Sequence, residues 1–161
     1  MHLVLLGDGS EAPRVVDWIR SRRASNVTLL PAVSQDRYLE IASEFDAGVI
    51  SLDRRLTSFS TTGKLLGYLR CGMPVLASVN PGNELLELLP RYDAGLCSLN
   101  GDDNALLANA QMLGDAAIRG RMQHGARGLL AAEFSVHSIA NQILDTLRPA
   151  PAADACLAPS L

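Results

Sequence analysis

With 161 residues, 48% of them apolar, and a formal charge of −3, the chain can bury one good core and carries no broad electrostatic footprint for nucleic acid. Arginines are interspersed with Asp and Glu, and only Arg20, Arg22 and Arg23 cluster, as the C-terminal end of a helix whose dipole favours cations. Cys71, Cys97 and Cys156 are widely spaced and in no CxxC or CxxH pattern, so neither a disulfide framework nor a zinc site is supported. The N-terminal apolar stretch is too short for a signal peptide, and no run approaches the roughly 20 apolar residues of a membrane-spanning helix, so the expected location is cytoplasmic.

Leu3 to Leu6 form a short apolar run closed by Gly7-Asp8-Gly9, the pattern of a fully buried strand ending in a tight turn. A helix follows from about Glu11 to Arg23, with Val15, Val16 and Ile19 on one face, and a second strand covers Val27 to Leu30. Tyr38, Leu39, Ile41, Ala42 and Phe45 recur at helical spacing within Gln35 to Phe45, and Ala47 to Leu52 returns to strand character. A polar loop, Asp53 to Thr62, leads into a helix from Gly63 to Cys71 and a buried strand from Met73 to Ser78. Asn80-Pro81-Gly82-Asn83 is a turn, with Asn83 placed to cap the helix carrying Leu85, Leu86 and Leu89. Gly95 to Leu99 is a last strand. Three helices then fill the C-terminal third: Asp103 to Leu113, Ala116 to Ala132, and Val136 to Leu147, the last capped by Ser135. The Ala/Pro-rich segment 148–161 has the composition of a disordered tail.

Strands alternating with helices imply an α/β fold with a doubly wound parallel sheet. Ligands of such sheets sit beyond the carboxyl ends of the strands, which selects the loops Gly7 to Ser10, Pro31 to Gln35, Asp53 to Gly63 and Ser78 to Asn83. Gly7-Asp8-Gly9 lacks the third glycine of a dinucleotide fingerprint and reads as a plain strand-to-helix turn. Thr61-Thr62-Gly63-Lys64 is more informative, since unpaired N–H groups at a helix start, with hydroxyls and an ammonium beside them, suit a phosphate. It is no P-loop, because the upstream glycine and the Ser or Thr after Lys64 are missing. His2, His124 and His137 share no triad or metal spacing, and Glu84 and Glu87 read as an exposed helical face.

Three stretches together resemble the donor-binding, C-terminal domain of the group 1 retaining glycosyltransferases of the GT-B fold. Leu3-Val4-Leu5-Leu6-Gly7-Asp8-Gly9, then Asn26-Val27-Thr28-Leu29-Leu30 and Phe45-Asp46-Ala47-Gly48-Val49, follow that family's succession of strand ends. Lys64-Leu65-Leu66-Gly67-Tyr68-Leu69-Arg70-Cys71-Gly72-Met73-Pro74-Val75-Leu76-Ala77-Ser78 is similar to its "KllEyla-GxPVla" segment. Asp93-Ala94-Gly95-Leu96 through Gly101-Asp102, Arg119, Arg121-Met122, Ala126-Arg127 and Glu133-Phe134-Ser135 are similar to its ending, so the likeness covers residues 2 to about 147.

The resemblance implies a Rossmann-like half of a GT-B protein that takes a UDP- or GDP-sugar as donor, with no further cofactor, and transfers the sugar to a polysaccharide or glycolipid acceptor. The base would stack near Pro31, Ala32 and Val33, and the pyrophosphate would lie over Thr61, Thr62, Gly63, Lys64 and Leu65, with the ribose near Gly67. Helix N–H groups stabilise the departing diphosphate in such enzymes, which makes chemistry without a metal reasonable.

Two departures stand against a self-sufficient enzyme. The family's two glutamates fall here on Phe59 and Gly67, and the lost ribose hydrogen bonds at the second commonly cost about 1.5–3 kcal/mol each. The family's domain also begins one strand and one helix earlier, after a whole acceptor-binding half. In the order 3-2-1-4-5-6 the missing strand is central, so its absence should leave a gap inside the sheet. Either another segment fills that gap, the remaining strands close up, or the chain is a piece of a longer protein. The partners expected are therefore a nucleotide sugar and an N-terminal acceptor-binding half, in cis or in trans, through which any peripheral membrane contact would be made. The alternative is a non-catalytic relative that has become a nucleotide-binding or assembly module.

Overall fold

The computed structural model describes residues 1–56 and 63–147. Its elements run in strict alternation through β1 (Leu3–Leu6), α1 (Ala12–Arg22), β2 (Val27–Leu30), α2 (Gln35–Ala42), β3 (Gly48–Ser51), α3 (Gly63–Arg70), β4 (Val75–Val79), α4 (Leu85–Arg91) and β5 (Gly95–Leu99). Three helices follow without a strand between them: α5 (Asp103–Met112), α6 (Ala116–Glu133) and α7 (Val136–Leu147). Among the described residues no helix is long and apolar enough to cross a membrane.

All strand pairs are parallel, as expected of an α/β fold, but they form two sheets rather than one. β1 pairs with β2 in register Leu3 to Val27, and β3, β4 and β5 form a separate sheet in that order. Among the described residues no strand pairing joins the β1–β2 sheet to the β3–β5 sheet, so the strands have not closed up into a continuous layer.

The core belongs to the three-stranded sheet. β4 is buried along its whole length, and its pleat sends side chains to both faces. Val75, Ala77 and Val79 face Leu65 and Leu69 of α3, Leu85 and Leu89 of α4, and Ala126 and Leu129 of α6. Leu76 points the other way, into a smaller cluster with Ala110, Leu113 and Met122. Helices thus cover both faces of this sheet, which is why the strand reads as an unbroken apolar run. Pro74, which has no N–H to offer, stands just before β4 and closes the ladder with its carbonyl, accepting from Gly48 N at 2.9 Å.

The expectation that Leu3 to Leu6 is fully buried is overturned. No residue of β1, α1 or β2 is buried, Leu3 is 39% exposed and Trp18 of α1 is 50% exposed. An apolar run records a strand's capacity to be buried on both faces; burial itself needs neighbours on both. Boundaries also tighten. α2 ends at Ala42 instead of Phe45, and Leu85 N donates to Asn83 Oδ1 at 3.0 Å, the cap expected of that asparagine. Ser135 Oγ likewise accepts from Ser138 N at 3.0 Å at the start of α7.

Candidate functional site

The carboxyl ends of β3, β4 and β5 are tied together by two asparagines. Asn80, just past β4, donates from Nδ2 to the carbonyls of Asp53 at 2.9 Å and Leu56 at 2.7 Å. Asn100, just past β5, donates to Leu52 O at 2.6 Å and to Asn80 Oδ1 at 3.2 Å, while its own N–H donates to Val79 O at 2.7 Å. These bonds hold the loop after β3 in a fixed path where the sheet's ligand rule puts the site. The sequence reading took Asn80 only as part of a turn and passed over Asn100; an asparagine one residue beyond each of two strand ends was the available signal.

The cations beside this loop are not equivalent. Arg55 folds back on Asp53, with Nε to Oδ1 at 3.0 Å and a terminal guanidinium nitrogen to Oδ2 at 2.6 Å, which neutralises its charge and holds the Asp53 carboxyl well below the usual range. Arg54 instead lies against Gly101, where an added β-carbon would come 2.7 Å from its guanidinium. Gly101 has a φ of 99°, so a side chain there would be strained as well as crowded. Among the described residues, neither Arg54 nor Lys64 forms an ion pair. Lys64 is exposed on the first turn of α3.

The predicted site residues divide into three groups. Pro31, Ala32 and Val33 lie exposed in the loop between β2 and α2. Gly63, Lys64, Leu65 and Gly67 lie on α3, although the Leu65 side chain is fully buried in the core, leaving only its backbone to face a ligand. Thr61 and Thr62 lie outside the described residues, as does Phe59.

At Gly67, where the family pattern would place a carboxylate, α2 brings in Tyr38. A β-carbon at Gly67 would stand 3.3 Å from the Tyr38 ring and 3.4 Å from its hydroxyl. The glycine therefore admits a tyrosine over α3, and the nearest polar atom is a phenol. Burial pushes the Tyr38 pKa up, with the neighbouring Cys71 thiol adding to the shift. No signal in the sequence marked this pairing, which joins residues far apart in the chain.

Tyr68, on the next residue of α3, donates to Val49 O at 3.1 Å, and its ring fills the space that a β-carbon of Gly48 would need. Burial pushes its pKa up to about 12. Glu84 is exposed at the start of α4. His124 is exposed on α6.

Neither protein-family models nor curated proteins match this chain. Solved structures do. A variant of S. aureus TarM crystallised with Fondaparinux, α-GlcNAc-glycerol and UDP superposes with a TM-score of 0.72 at 15% identity, over 92% of this chain and 29% of that one. AviGT4, a glycosyltransferase involved in avilamycin A biosynthesis, gives 0.61 at 21% identity, over 90% of this chain and 42% of that one. Anabaena HepE in complex with UDP-glucose gives 0.61 at 17% identity, over 91% of this chain and 40% of that one. The chain therefore has the Rossmann-like α/β fold of GT-B glycosyltransferases. It spans less than half the length of the structures it matches.

Proposed function

We propose that the chain is the donor-binding part of a sugar transferase, holding the nucleoside diphosphate of a UDP- or GDP-sugar over the carboxyl ends of β3 to β5. The observation that carries this reading is the asparagine-pinned loop after β3, with Arg54 on that loop and Lys64 on the first turn of α3, neither in an ion pair among the described residues. A diphosphate is the ligand class such cations and the free N–H groups of a helix start recognise. Two of the superposed structures contain UDP or UDP-glucose, which supports a nucleotide-sugar ligand for the same fold. The base would then rest on the loop Pro31 to Val33, and transfer to a polysaccharide or glycolipid acceptor would require an acceptor-binding half, in cis or in trans, working in the cytoplasm.

One observation favours a second reading, a nucleotide-binding or assembly module without catalysis. Tyr38 occupies the space beside Gly67 where a ribose-binding carboxylate would have to stand. A neutral phenol gives a ribose hydroxyl a weaker partner than a carboxylate does.

Calorimetry of the purified chain with UDP, GDP and UDP-glucose tests both. Saturable binding weakened at least tenfold in Lys64→Ala and Arg54→Ala supports the donor site. A folded chain that takes up no nucleotide at millimolar concentration refutes it.

A further inference from the structure

Two four-residue turns are joined at the carboxyl end of β4. After β3, Leu56 N donates to Asp53 O at 3.0 Å, so Arg54 and Arg55 stand in the middle of a turn whose first and last carbonyls both accept from the Asn80 side-chain amide. After β5, Asp102 N donates to Leu99 O at 3.0 Å and closes a second turn with Asn100 and Gly101 in its middle. Asn100 ties this second turn to the first by donating to Leu52 O and Asn80 Oδ1. Asp102 anchors its far end, accepting from Ala105 N at 2.9 Å at the start of α5. Each turn is therefore held by bonds beyond its own.

Arg54 reaches from the first turn to the second, and what it meets there is backbone. The Asp53 carboxylate is taken by Arg55, the Asp102 carboxylate is turned to its cap, and Arg54 forms neither an ion pair nor a side-chain hydrogen bond among the described residues. A β-carbon on Gly101 would stand 2.7 Å from a terminal guanidinium nitrogen of Arg54 and 3.1 Å from its central carbon, so the guanidinium lies in the space that a side chain would fill. Gly101 is third in its turn with a φ of 99°, which favours glycine for the backbone's sake as well. That backbone requirement does not by itself bring an arginine onto the glycine. A guanidinium laid on backbone keeps its charge uncompensated and its planar fork of N–H groups open, the form that grips phosphate oxygens in pairs.

We propose that Gly101 is a positioning residue for the donor site: by lacking a side chain it seats the Arg54 guanidinium on the turn after β5, with its N–H fork open to the phosphate oxygens of a nucleoside diphosphate. This rests on the reading of the carboxyl ends of β3 to β5 as a donor site. Gly101 acts through Arg54 and touches no ligand itself. A fork held in place before the ligand arrives loses less freedom on binding than one that must first be ordered, so the seat raises affinity without adding a contact. The asparagine ties between the two turns fix the distance that Arg54 has to span, which makes the seat a property of the site's framework rather than of one flexible side chain.

The test is a double-mutant cycle on the whole chain, reading by calorimetry the affinity for UDP or GDP, whichever the native chain binds. Gly101→Ala should weaken binding about fivefold or more in the native background. With Arg54→Ala already in place, the same change should weaken it by less than about twofold, the scatter expected of uncoupled sites. Gly101→Asn repeats the cycle with a residue that tolerates a positive φ better than alanine, so a folded chain carrying a β-carbon is at hand should Gly101→Ala unfold. Arg54→Lys, which keeps the charge without the fork, should bind more weakly than the native chain and be indifferent to Gly101→Asn. In the ligand-free chain, nitrogen relaxation of the Arg54 Nε–H should report restricted motion that is lost in Gly101→Asn, a readout that strain in the turn alone would not move. Equal losses in the native and Arg54→Ala backgrounds overturn the proposal and leave Gly101 serving its turn only. An Arg54 Nε–H as mobile in the native chain as in Gly101→Asn overturns it too. A folded native chain that binds neither nucleotide removes the donor-site reading and this proposal with it, whereas equal losses in a chain that does bind remove the seat and leave the donor site standing.

Discussion

The segment from β1 to β2 and the segment from β3 to α6 are written in the same language of short apolar strands and amphipathic helices, yet only the second has a core. β4 has a strand on each side and helices on both faces, and every one of its residues is buried. β1 has one strand beside it and buries none. Burial per residue is a property of the neighbours, and identical patterning gives different stability wherever those neighbours are missing.

The comparison can be broken most sharply in the interior. Leu89→Ala, at a fully buried position, should lower unfolding free energy by about 3 kcal/mol in urea titration, whereas Leu5→Ala in half-exposed β1 should cost under about 1 kcal/mol. Equal losses at the two sites would mean that β1 and β2 belong to the same cooperative core. Gly48→Ala comes next. Its β-carbon would displace the Tyr68 ring, and overpacking of this kind costs about 2 kcal/mol, with loss of the Val49 hydrogen bond visible as faster tyrosine ring motion by NMR.

Tyr68→Phe removes only that hydrogen bond and should cost about 1 kcal/mol. Its pH profile is more telling. A phenol raised from 10.0 to about 12 in the folded chain stabilises it fully below pH 10, and that contribution is lost as pH rises from 10 toward 12. Urea midpoints of the native chain should fall across that window, and the part of the fall due to Tyr68 should be missing in the variant. The smallest effect is expected at Asp115, whose carboxylate accepts from Ile118 N at 3.1 Å and Ala117 N at 2.7 Å and is held below its ordinary pKa by them. Its contribution is present above the unfolded pKa and lost as pH falls through the folded one, so Asp115→Ala should lower stability slightly at neutral pH and flatten the acid limb, the variant and native profiles converging at low pH.

Much of the fold was legible because it is set locally. Ser135, Asn83 and Gly72 stop and start helices through bonds that reach two to four residues along the chain, and a run such as Val75 to Val79 can bury itself only as a strand between helices. The candidate site was chosen from the strand-end rule and the Gly63-Lys64 helix start, which need only element order. The long-range contacts around it were not legible. Asn80 and Asn100 meet across 20 residues, Arg54 reaches Gly101, and Tyr38 comes to rest over Gly67 from another helix.

The sequence by itself determined the alternation of strands and helices and their parallel sense, because periodicity and turn chemistry act over one element at a time. Only the tertiary structure decided that the strands divide into two sheets, that an apolar strand can remain half exposed, and that Tyr38 comes to rest over Gly67. Those outcomes depend on which surfaces meet across long stretches of chain, and a one-dimensional pattern records what a residue can bury without naming what will cover it.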